Sequence, residues 1–231
     1  MDARVRELVK ATIPVLKEHG VALTTYFYQR LFRHNPELKN IFNQSHNETG
    51  KQPVALAMAV LAYAENIDDP SVLAPVITLI ANKHASVGIR AEHYPIVGKH
   101  LLASIREVLG DAASDELIHA WGVAYGALAD VFIEAESKLY NEACNSDGGW
   151  SGWRSFRIID KVRESEEITS FHLVPCDGGP LPAYRAGQYT TVRVFVPELG
   201  VMQLRQYTLS IAPGAMHFRI SVKREPASTT T

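Results

Sequence analysis

A histidine that could bind a metal lies in the middle of an apolar helical face. His84 falls within VITLIANKHASVGIRAEHY, residues 76–94. Its apolar neighbours follow at steps of three or four residues, the spacing of one helix face: Ile77, Ile80 and Val87. Lys83 falls on a different face, and Gly88 is a residue type that commonly ends a helix. Two interpretations are open: a core histidine bonded to a backbone carbonyl, which is commoner for an isolated case, or an axial metal or haem ligand.

A carboxylate raises a similar question near the end of the helical region. Glu136 shares one predicted helix face with apolar and aromatic residues: Trp121, Tyr125, Leu128, Phe132 and Leu139. A carboxylate on a core face must be paired or hydrogen bonded, because burying it alone is costly. The alternative is a residue at the edge of that face whose carboxylate reaches water. The sequence alone leaves both open.

Polar residues also occur on two earlier predicted helices. Gln52 and Leu56 are one turn apart on a helix predicted over 52–67, so an amide lies beside an apolar wall. Tyr28 belongs to the aromatic run Tyr26-Phe27-Tyr28. Taken by itself, that run predicts core packing.

The positions of these residues require a helical region followed by a β region. Residues 1–140 predict helices almost throughout, with breaks near Gly20, at Asn35-Pro36, in the polar loop 43–50 and at Asp68-Asp69-Pro70. A further helix is predicted from Pro95 to Leu109, and the last follows Asp115. The Gly-rich stretch NSDGGWSG, residues 145–152, is a linker. Short β-branched runs after it predict an antiparallel barrel or sandwich.

Length and composition limit the class of protein. A chain of 231 residues can form one large or two modest domains. Its net charge of −2, without a basic cluster, argues against nucleic acid or an anionic membrane as a partner. Cys144 and Cys176 cannot make a disulfide framework, so we expect a reduced, cytoplasmic protein. The N-terminus lacks a signal-peptide core, and no apolar run suggests a membrane span, so no obligatory membrane is expected.

Several segments, in this order, resemble the flavohaemoglobin family: YFYQRLF, NPELKNIFN, NKHAS, HYPIVGKHLL, AWGVAYG and GGWSGWRSF. The resemblance covers residues 1 to about 225. It implies an all-α globin domain followed by an incomplete antiparallel β-barrel of the ferredoxin-reductase FAD-binding type. We therefore predict a globin domain over 1–144, a linker over 145–152 and a partial FAD-binding domain over 153–231.

The resemblance implies a haem b site in the helical region. It makes His84 the metal ligand on the proximal side, and it places Tyr28, Gln52 and Leu56 in the distal pocket. Phe42 is grouped with them as the aromatic that packs on the porphyrin. A phenol and an amide are donors suited to a ligand that takes on negative charge.

The resemblance also gives two residues a shared role on the proximal side. By resemblance, Tyr94 and Glu136 hold the proximal imidazole and share catalytic roles with Tyr28. An imidazole that donates its second N–H to a carboxylate becomes more basic, which favours oxygen activation over storage. Lys83 resembles the family's lysine near the junction of haem and flavin modules. A solvated helix face remains its alternative.

The β region carries GQY at 187–189 and RQYT at 205–208, which resemble the flavin signature of the same reductases. The resemblance makes Tyr189 and the four residues Arg205, Gln206, Tyr207 and Thr208 cofactor-binding. It places the Tyr207 phenol on the flavin ring, Arg205 at the diphosphate and Thr208 near the reactive nitrogen. Strand alternation puts Arg205 and Tyr207 on one face and Thr208 on the other.

The C-terminal end departs from the family pattern. After SVKRE the family continues with a Gly-rich segment, a helix and a nicotinamide domain, whereas this sequence reads PASTTT. No GxGxxG is present. We therefore expect weak FAD binding by this chain, no NAD-binding domain, and a role for NAD(P)H only in the full-length family.

The resemblance implies nitric oxide dioxygenase activity, in which oxygen on haem converts nitric oxide to nitrate with electrons from NAD(P)H through FAD. The partners would be O2 and nitric oxide, with an external reductase where the chain's own is incomplete. We expect a monomer. The alternative is a haem module that carries or senses O2 or nitric oxide without turnover.

Overall fold

The computed structural model describes residues 1–42 and 50–224, so most of the predicted polar loop and the PASTTT tail lie outside the described residues. The chain divides into two compact units. The helical unit comprises Met1–Ser137 with Val194–Leu204, and the sheet unit comprises Lys138–Arg193 with the residues from Arg205 onward. The predicted domain limits at 144/145 and 152/153 stay predictions.

The described chain contains six α-helices: α1 Ala3–Ala11, α2 Ile13–His34, α3 Lys51–Glu65, α4 Ala74–Val87, α5 His93–Leu109 and α6 Asp115–Asn145. Short 3-10 turns connect some of them: Pro36–Asn40, Pro70–Leu73 and Gly110–Ala112. Asp2 caps α1 by accepting a hydrogen bond from Val5 N at 2.8 Å. Gly88, at the end of α4, has a φ of 82°, a conformation that favours glycine.

The predicted helix end near Gly20 is wrong, because α2 runs through it. Gly20 is buried, and a Cβ placed there would lie 3.5 Å from Ala57 Cβ of α3. A small residue here permits close approach of two helices. Packing of this kind outweighs the cost of about 1 kcal/mol that glycine brings to a helix interior.

The core of the helical unit is built on α2, with Val9, Phe27 and Leu31 almost completely buried. An aromatic group continues from it. The ring centroids of Phe27 and Tyr28 are 4.9 Å apart, and Phe42 lies 5.8 Å from Tyr28. These are distances at which edge-to-face pairs are favourable.

α6 is the one helix in the described ranges that is long and apolar enough, by length and composition, to cross a membrane. The expectation that no apolar run suggests a membrane span stays a prediction, because length and composition alone are weak evidence for such a span. Trp121, Ala124 and Phe132 of α6 are buried.

The five strands are β1 Phe156–Arg163, β2 Ile168–Pro175, β3 Tyr189–Val196, β4 Val201–Thr208 and β5 Phe218–Lys223. They form an antiparallel sheet in the order β1-β2-β5 and a two-stranded sheet of β3 and β4. An isolated bridge joins Leu209 and Ile220. The predicted helical region followed by antiparallel strands is confirmed, and the described strands do not close into a barrel.

Arg154 organises the first turns of the sheet unit. Its guanidinium donates two hydrogen bonds to Asp177, at 2.9 and 2.6 Å, and others to the carbonyls of Gly148 and Pro180. It also lies over the Trp150 ring, 5.3 Å from the centroid. This pairing lowers the pKa of the Asp177 carboxyl to about 2. Arg154 thus fixes the Gly-rich stretch against the start of the sheet.

His100 of α5 is held as a neutral imidazole inside the helical unit. Arg30 Nη1 lies 2.7 Å from His100 Nδ1, so Nδ1 must accept, and Nε2 donates to Asn35 Oδ1 at 2.9 Å. Burial first, then the positive charges of Arg30 and His34, lower the His100 pKa, while Glu107 opposes them.

We predict that His100 makes the helical unit less stable in acid. In the unfolded chain the pKa of His100 is about 6.5, so below that pH the unfolded state binds a proton at His100 more readily than the folded state does. The free energy of unfolding should therefore fall as pH drops from about 6.5 toward the lowered folded pKa. Urea titrations followed by helical circular dichroism check this. His100→Gln should flatten this decrease in the free energy of unfolding, whereas the control His119→Gln, at an exposed position, should not. Equal pH profiles for the unchanged chain and both variants would contradict the prediction.

Candidate functional site

Two polar side chains, from α5 and α6, meet at His84 of α4. His84 Nδ1 lies 2.7 Å from Glu136 Oε1 and 3.2 Å from the Tyr94 hydroxyl. The Tyr94 hydroxyl also donates to Glu136 Oε1 at 2.5 Å. The expected contact between Glu136 and His84 is present.

The Glu136 carboxylate determines which nitrogen of His84 carries the proton. Its side chain is 3% exposed, so the carboxylate needs the hydrogen bonds that Tyr94 and His84 supply. With Nδ1 of His84 donating to Oε1, Nε2 is the ring nitrogen that can bind a metal. The His84 side chain is 32% exposed, so a ligand can reach it.

Tyr125 fixes the turn of α5 that carries Tyr94, a role that periodicity did not reveal. Its hydroxyl donates to the Tyr94 carbonyl at 2.7 Å. A Cβ on Gly98 would lie 2.5 Å from Tyr125 Cε1, so only glycine lets the phenol ring come this close. Burial raises the pKa of the Tyr125 phenol. Its place on one helix face with Glu136 was the only signal in the sequence.

A second group of polar and aromatic side chains comes from α2, α3 and the segment between them. Tyr28 is buried, and burial raises the pKa of its phenol, while a hydrogen bond with the Gln52 amide lowers it. Gln52 Oε1 is buried and has no hydrogen-bond partner among the described residues. Phe42 lies 5.8 Å from the Tyr28 ring, and Leu56 packs against the same core.

A buried amide oxygen without a hydrogen-bond partner, here beside a buried phenol, costs free energy when only the protein's own atoms surround it. The chemistry of these residues fits a haem: an imidazole with a carboxylate partner would hold the iron, and an aromatic ring and a phenol–amide pair would face the porphyrin and its ligand. The roles of these residues stay predictions.

Lys83 is exposed on α4 next to His84. Partial burial of its ammonium group lowers the Lys83 pKa. Its position agrees with the predicted separate helix face, and its role is untested.

The predicted flavin residues lie at one end of the β3–β4 hairpin. Leu209 N donates to Gln188 O at 2.9 Å, which brings the start of β3 beside the end of β4. Tyr189, Arg205 and Thr208 are exposed. Gln206 is half-buried.

The predicted alternation of faces along β4 stays a prediction, because the exposure of a side chain does not show which face of the strand it lies on. Tyr207 is half-buried and packs against the sheet core of Leu209, Phe218 and Ile220, whereas Arg205 is exposed. Gln203 and Leu204 are both buried, and Thr208 is exposed.

Comparison with known proteins gives the family. The Globin family model matches residues 25–132. A Flavohemoprotein of Chromobacterium violaceum is 63% identical over 228 residues, covering 99% of this chain and 56% of that protein. The chain belongs to the flavohaemoglobin family. It spans a little over half the length of the flavohaemoglobin relatives it matches.

Solved structures of flavohaemoglobin-related proteins agree with the fold. The flavohemoglobin of Malassezia yamatoensis, which has bound FAD and heme, superimposes with a TM-score of 0.87 at 28% identity, covering 100% of this chain and 59% of that one. An engineered carbene transferase, made from a proposed nitric oxide dioxygenase of Rhodothermus marinus, gives 0.58 at 37% identity, covering 62% of this chain and 97% of that one. The predicted resemblance and fold class are confirmed.

Proposed function

We propose that this chain binds haem b through His84 and serves as the oxygen-activating part of a nitric oxide dioxygenase. Haem, when bound, supplies the iron at which O2 oxidises nitric oxide to nitrate. The observation that carries the proposal is the 2.7 Å contact of His84 Nδ1 with the buried Glu136 carboxylate. A carboxylate partner makes the imidazole a stronger electron donor than a neutral carbonyl would, which suits turnover rather than storage.

The chain's own residues would act on two sides, the proximal side at His84 and the distal side at Tyr28. Glu136 and Tyr94 hold the His84 ring in one tautomer and orientation. The Tyr28 hydroxyl would donate a hydrogen bond to a ligand that gains negative charge, and the Gln52 amide would keep that hydroxyl in place. Phe42 and Leu56 would exclude water beside them.

We further propose that FAD meets the chain at the exposed end of β3 and β4. The Arg205 guanidinium can pair with a diphosphate, and Tyr189 and Thr208 are accessible beside it. Electrons from NAD(P)H would arrive through FAD or an external reductase. A cytoplasmic location and a monomeric state remain part of the proposal.

A single-turnover experiment tests the main proposal. The purified, haem-loaded chain is reduced chemically, given O2 and then one equivalent of nitric oxide, while the absorption spectrum and nitrate are followed. We expect about one nitrate per haem. Reversible binding of both gases without nitrate would instead identify a carrier or sensor.

A companion assay with NADH and added FAD tests the flavin part. NADH oxidation above the free-flavin background is not expected from this chain alone. Robust consumption that saturates with FAD would contradict the prediction of weak FAD binding.

We predict that Tyr28→Phe speeds the dissociation of O2. The substitution removes one hydrogen bond to a partly charged ligand, worth about 1.5 kcal/mol, so the off-rate should rise roughly tenfold. Stopped-flow displacement of O2 by carbon monoxide measures it. Tyr26→Phe is the control, because the Tyr26 hydroxyl is exposed and donates to Glu107 at 2.7 Å. An unchanged off-rate would mean that Tyr28 only packs.

A further inference from the structure

Two imidazoles meet on one face of the β1-β2-β5 sheet. His172 Nδ1 lies 2.8 Å from His217 Nε2, and the centroids of the two rings are 4.8 Å apart. Neither histidine belongs to the groups around His84 and Tyr28 or to the predicted flavin residues. The pair is therefore not explained by the sites described above.

The antiparallel register of β2 and β5 brings the two rings together. His172 is paired with Arg219, so His217, two residues before Arg219, is its diagonal neighbour. Diagonal positions lie within reach of long side chains. Phe171 and Leu173, on either side of His172, pack in the apolar core of the sheet unit. Alternation along β2 therefore directs His172 to the opposite face of the sheet.

The two rings share one hydrogen bond. In the neutral pair, one of His172 Nδ1 and His217 Nε2 donates and the other accepts. The outer nitrogens, His172 Nε2 and His217 Nδ1, have no hydrogen-bond partner among the described residues, and both residues are half-buried rather than enclosed. When the donor ring carries its proton on the outer nitrogen instead, both inner nitrogens have a lone pair to offer to one ion.

The separation of the inner nitrogens fits two ligands at a right angle. Imidazole nitrogens lie about 2.0 Å from a bound ion, so two of them at a right angle are about 2.8 Å apart, and at the tetrahedral angle about 3.3 Å apart. The distance from His172 Nδ1 to His217 Nε2 is 2.8 Å. Right angles occur in the square-planar and tetragonal sites of Cu2+ and Ni2+, whereas Zn2+ prefers a tetrahedron.

The charges that flank His172 in the sheet are of opposite sign. Arg219, across from it on β5, donates from Nε to Ser210 Oγ at 3.1 Å. Asp160, across from it on β1, brings a carboxylate. The described residues include no group of three or more His, Cys, Asp and Glu that could hold a metal. Water would therefore fill the remaining positions of an ion bound by the two imidazoles.

We propose that His172 and His217 form a binding site for one Cu2+ or Ni2+ ion on the sheet unit. The site needs neither haem nor flavin. Its two ligands come from β2 and from the end of the segment 210–217, which connects β4 to β5 and contains neither helix nor strand. A bound ion would therefore hold this segment against the sheet.

Nickel is the first probe, because Ni2+ does not oxidise exposed thiols. Calorimetric titration of the haem-loaded chain with nickel chloride should show one site. His172→Gln and His217→Gln should each weaken it by at least about tenfold, since each removes one of the two protein ligands. His119→Gln, at an exposed position outside the pair, is the control and should keep the site. His84→Ala should also keep it, so failure of the haem proposal would not affect this test.

Copper is the second probe, because its electron paramagnetic resonance spectrum reports the geometry. The measurement uses a Cys144→Ser/Cys176→Ser variant, which removes the two exposed thiols that could reduce Cu2+. One equivalent of Cu2+ should give a tetragonal spectrum with two imidazole nitrogens in the spin-echo modulation. An equal concentration of Zn2+ should not displace it. This measurement leaves both histidines in place, so it does not depend on how their variants fold.

Hydrogen exchange separates loss of binding from damage to the fold. Ni2+ should slow exchange in peptides that cover 210–217 in the unchanged chain and in His119→Gln, but not in His172→Gln. Without metal, exchange in β2 and β5 should be the same in all three proteins.

Three results would overturn the proposal: no stoichiometric Ni2+ site, a site that either His172→Gln or His217→Gln keeps at full affinity, or a copper spectrum with fewer than two imidazoles. Any of them would leave the pair as a hydrogen bond that joins β2 to the residue before β5. Displacement of Cu2+ by equal Zn2+ would overturn the assignment of the ion.

Discussion

Replacing His84 with alanine is expected to abolish stable haem binding. The contact of Nδ1 with Glu136 leaves the lone pair of His84 Nε2 available to iron. The alanine variant therefore loses the protein ligand to the iron on that side. Loss of a partner behind a ligating histidine already costs 10- to 100-fold in affinity, and loss of the ligand itself should cost more. Haem stoichiometry and the Soret spectrum after gel filtration measure the effect.

His100→Gln is the control for the His84 variant, because both nitrogens of His100 are already engaged by Arg30 and Asn35. That variant should keep its haem. Addition of free imidazole to a His84→Gly variant should restore a ferrous haem spectrum, since the small residue leaves room for the ring. An unchanged spectrum and stoichiometry in His84→Ala would refute the assignment.

The spacing of apolar residues predicted where His84 lies but not what it touches. Periodicity places a residue on a face of its own helix, and the partners of His84 come from 10 and 52 positions away in the chain. Glu136 was conspicuous because a carboxylate on a core face needs a partner. Tyr94 carried no such signal, and only the family resemblance singled it out.

One error in the fold came from treating a local signal as decisive. Gly20 was taken as a helix end, but α2 runs through it, at a place where a small residue permits close approach to Ala57. Tertiary packing overrides local preference here.

The distal residues show the same limit of helix periodicity, which predicts a face but not its contacts. The pattern predicted an amide next to an apolar wall at Gln52 and Leu56, and both residues are half-buried. It could not show that the Gln52 amide bonds to Tyr28 or that Gln52 Oε1 has no partner among the described residues. Those facts depend on how α2 and α3 pack, which no single helix determines.

The pairing of Glu136 with His84 predicts a large kinetic effect from a nearly isosteric change. In Glu136→Gln the side-chain oxygen can still accept from His84 Nδ1, but the negative charge that makes the imidazole a strong donor is gone. We expect the rate of nitrate formation in the single-turnover assay to fall by about 10- to 100-fold, as for other partners of ligating histidines. The haem content should change little, because His84 Nε2 remains available.

A spectroscopic readout separates this charge effect from loss of structure. The iron–histidine stretching frequency of the ferrous haem-loaded protein should fall in Glu136→Gln, since a weaker donor makes a weaker bond. Glu142→Gln, an exposed position on the same helix, should change neither the frequency nor the rate. Tyr94→Phe removes one hydrogen bond to the carboxylate but leaves its charge and its contact with His84, so its effect should be smaller. A full rate in Glu136→Gln would mean that the buried carboxylate serves only to orient the ring.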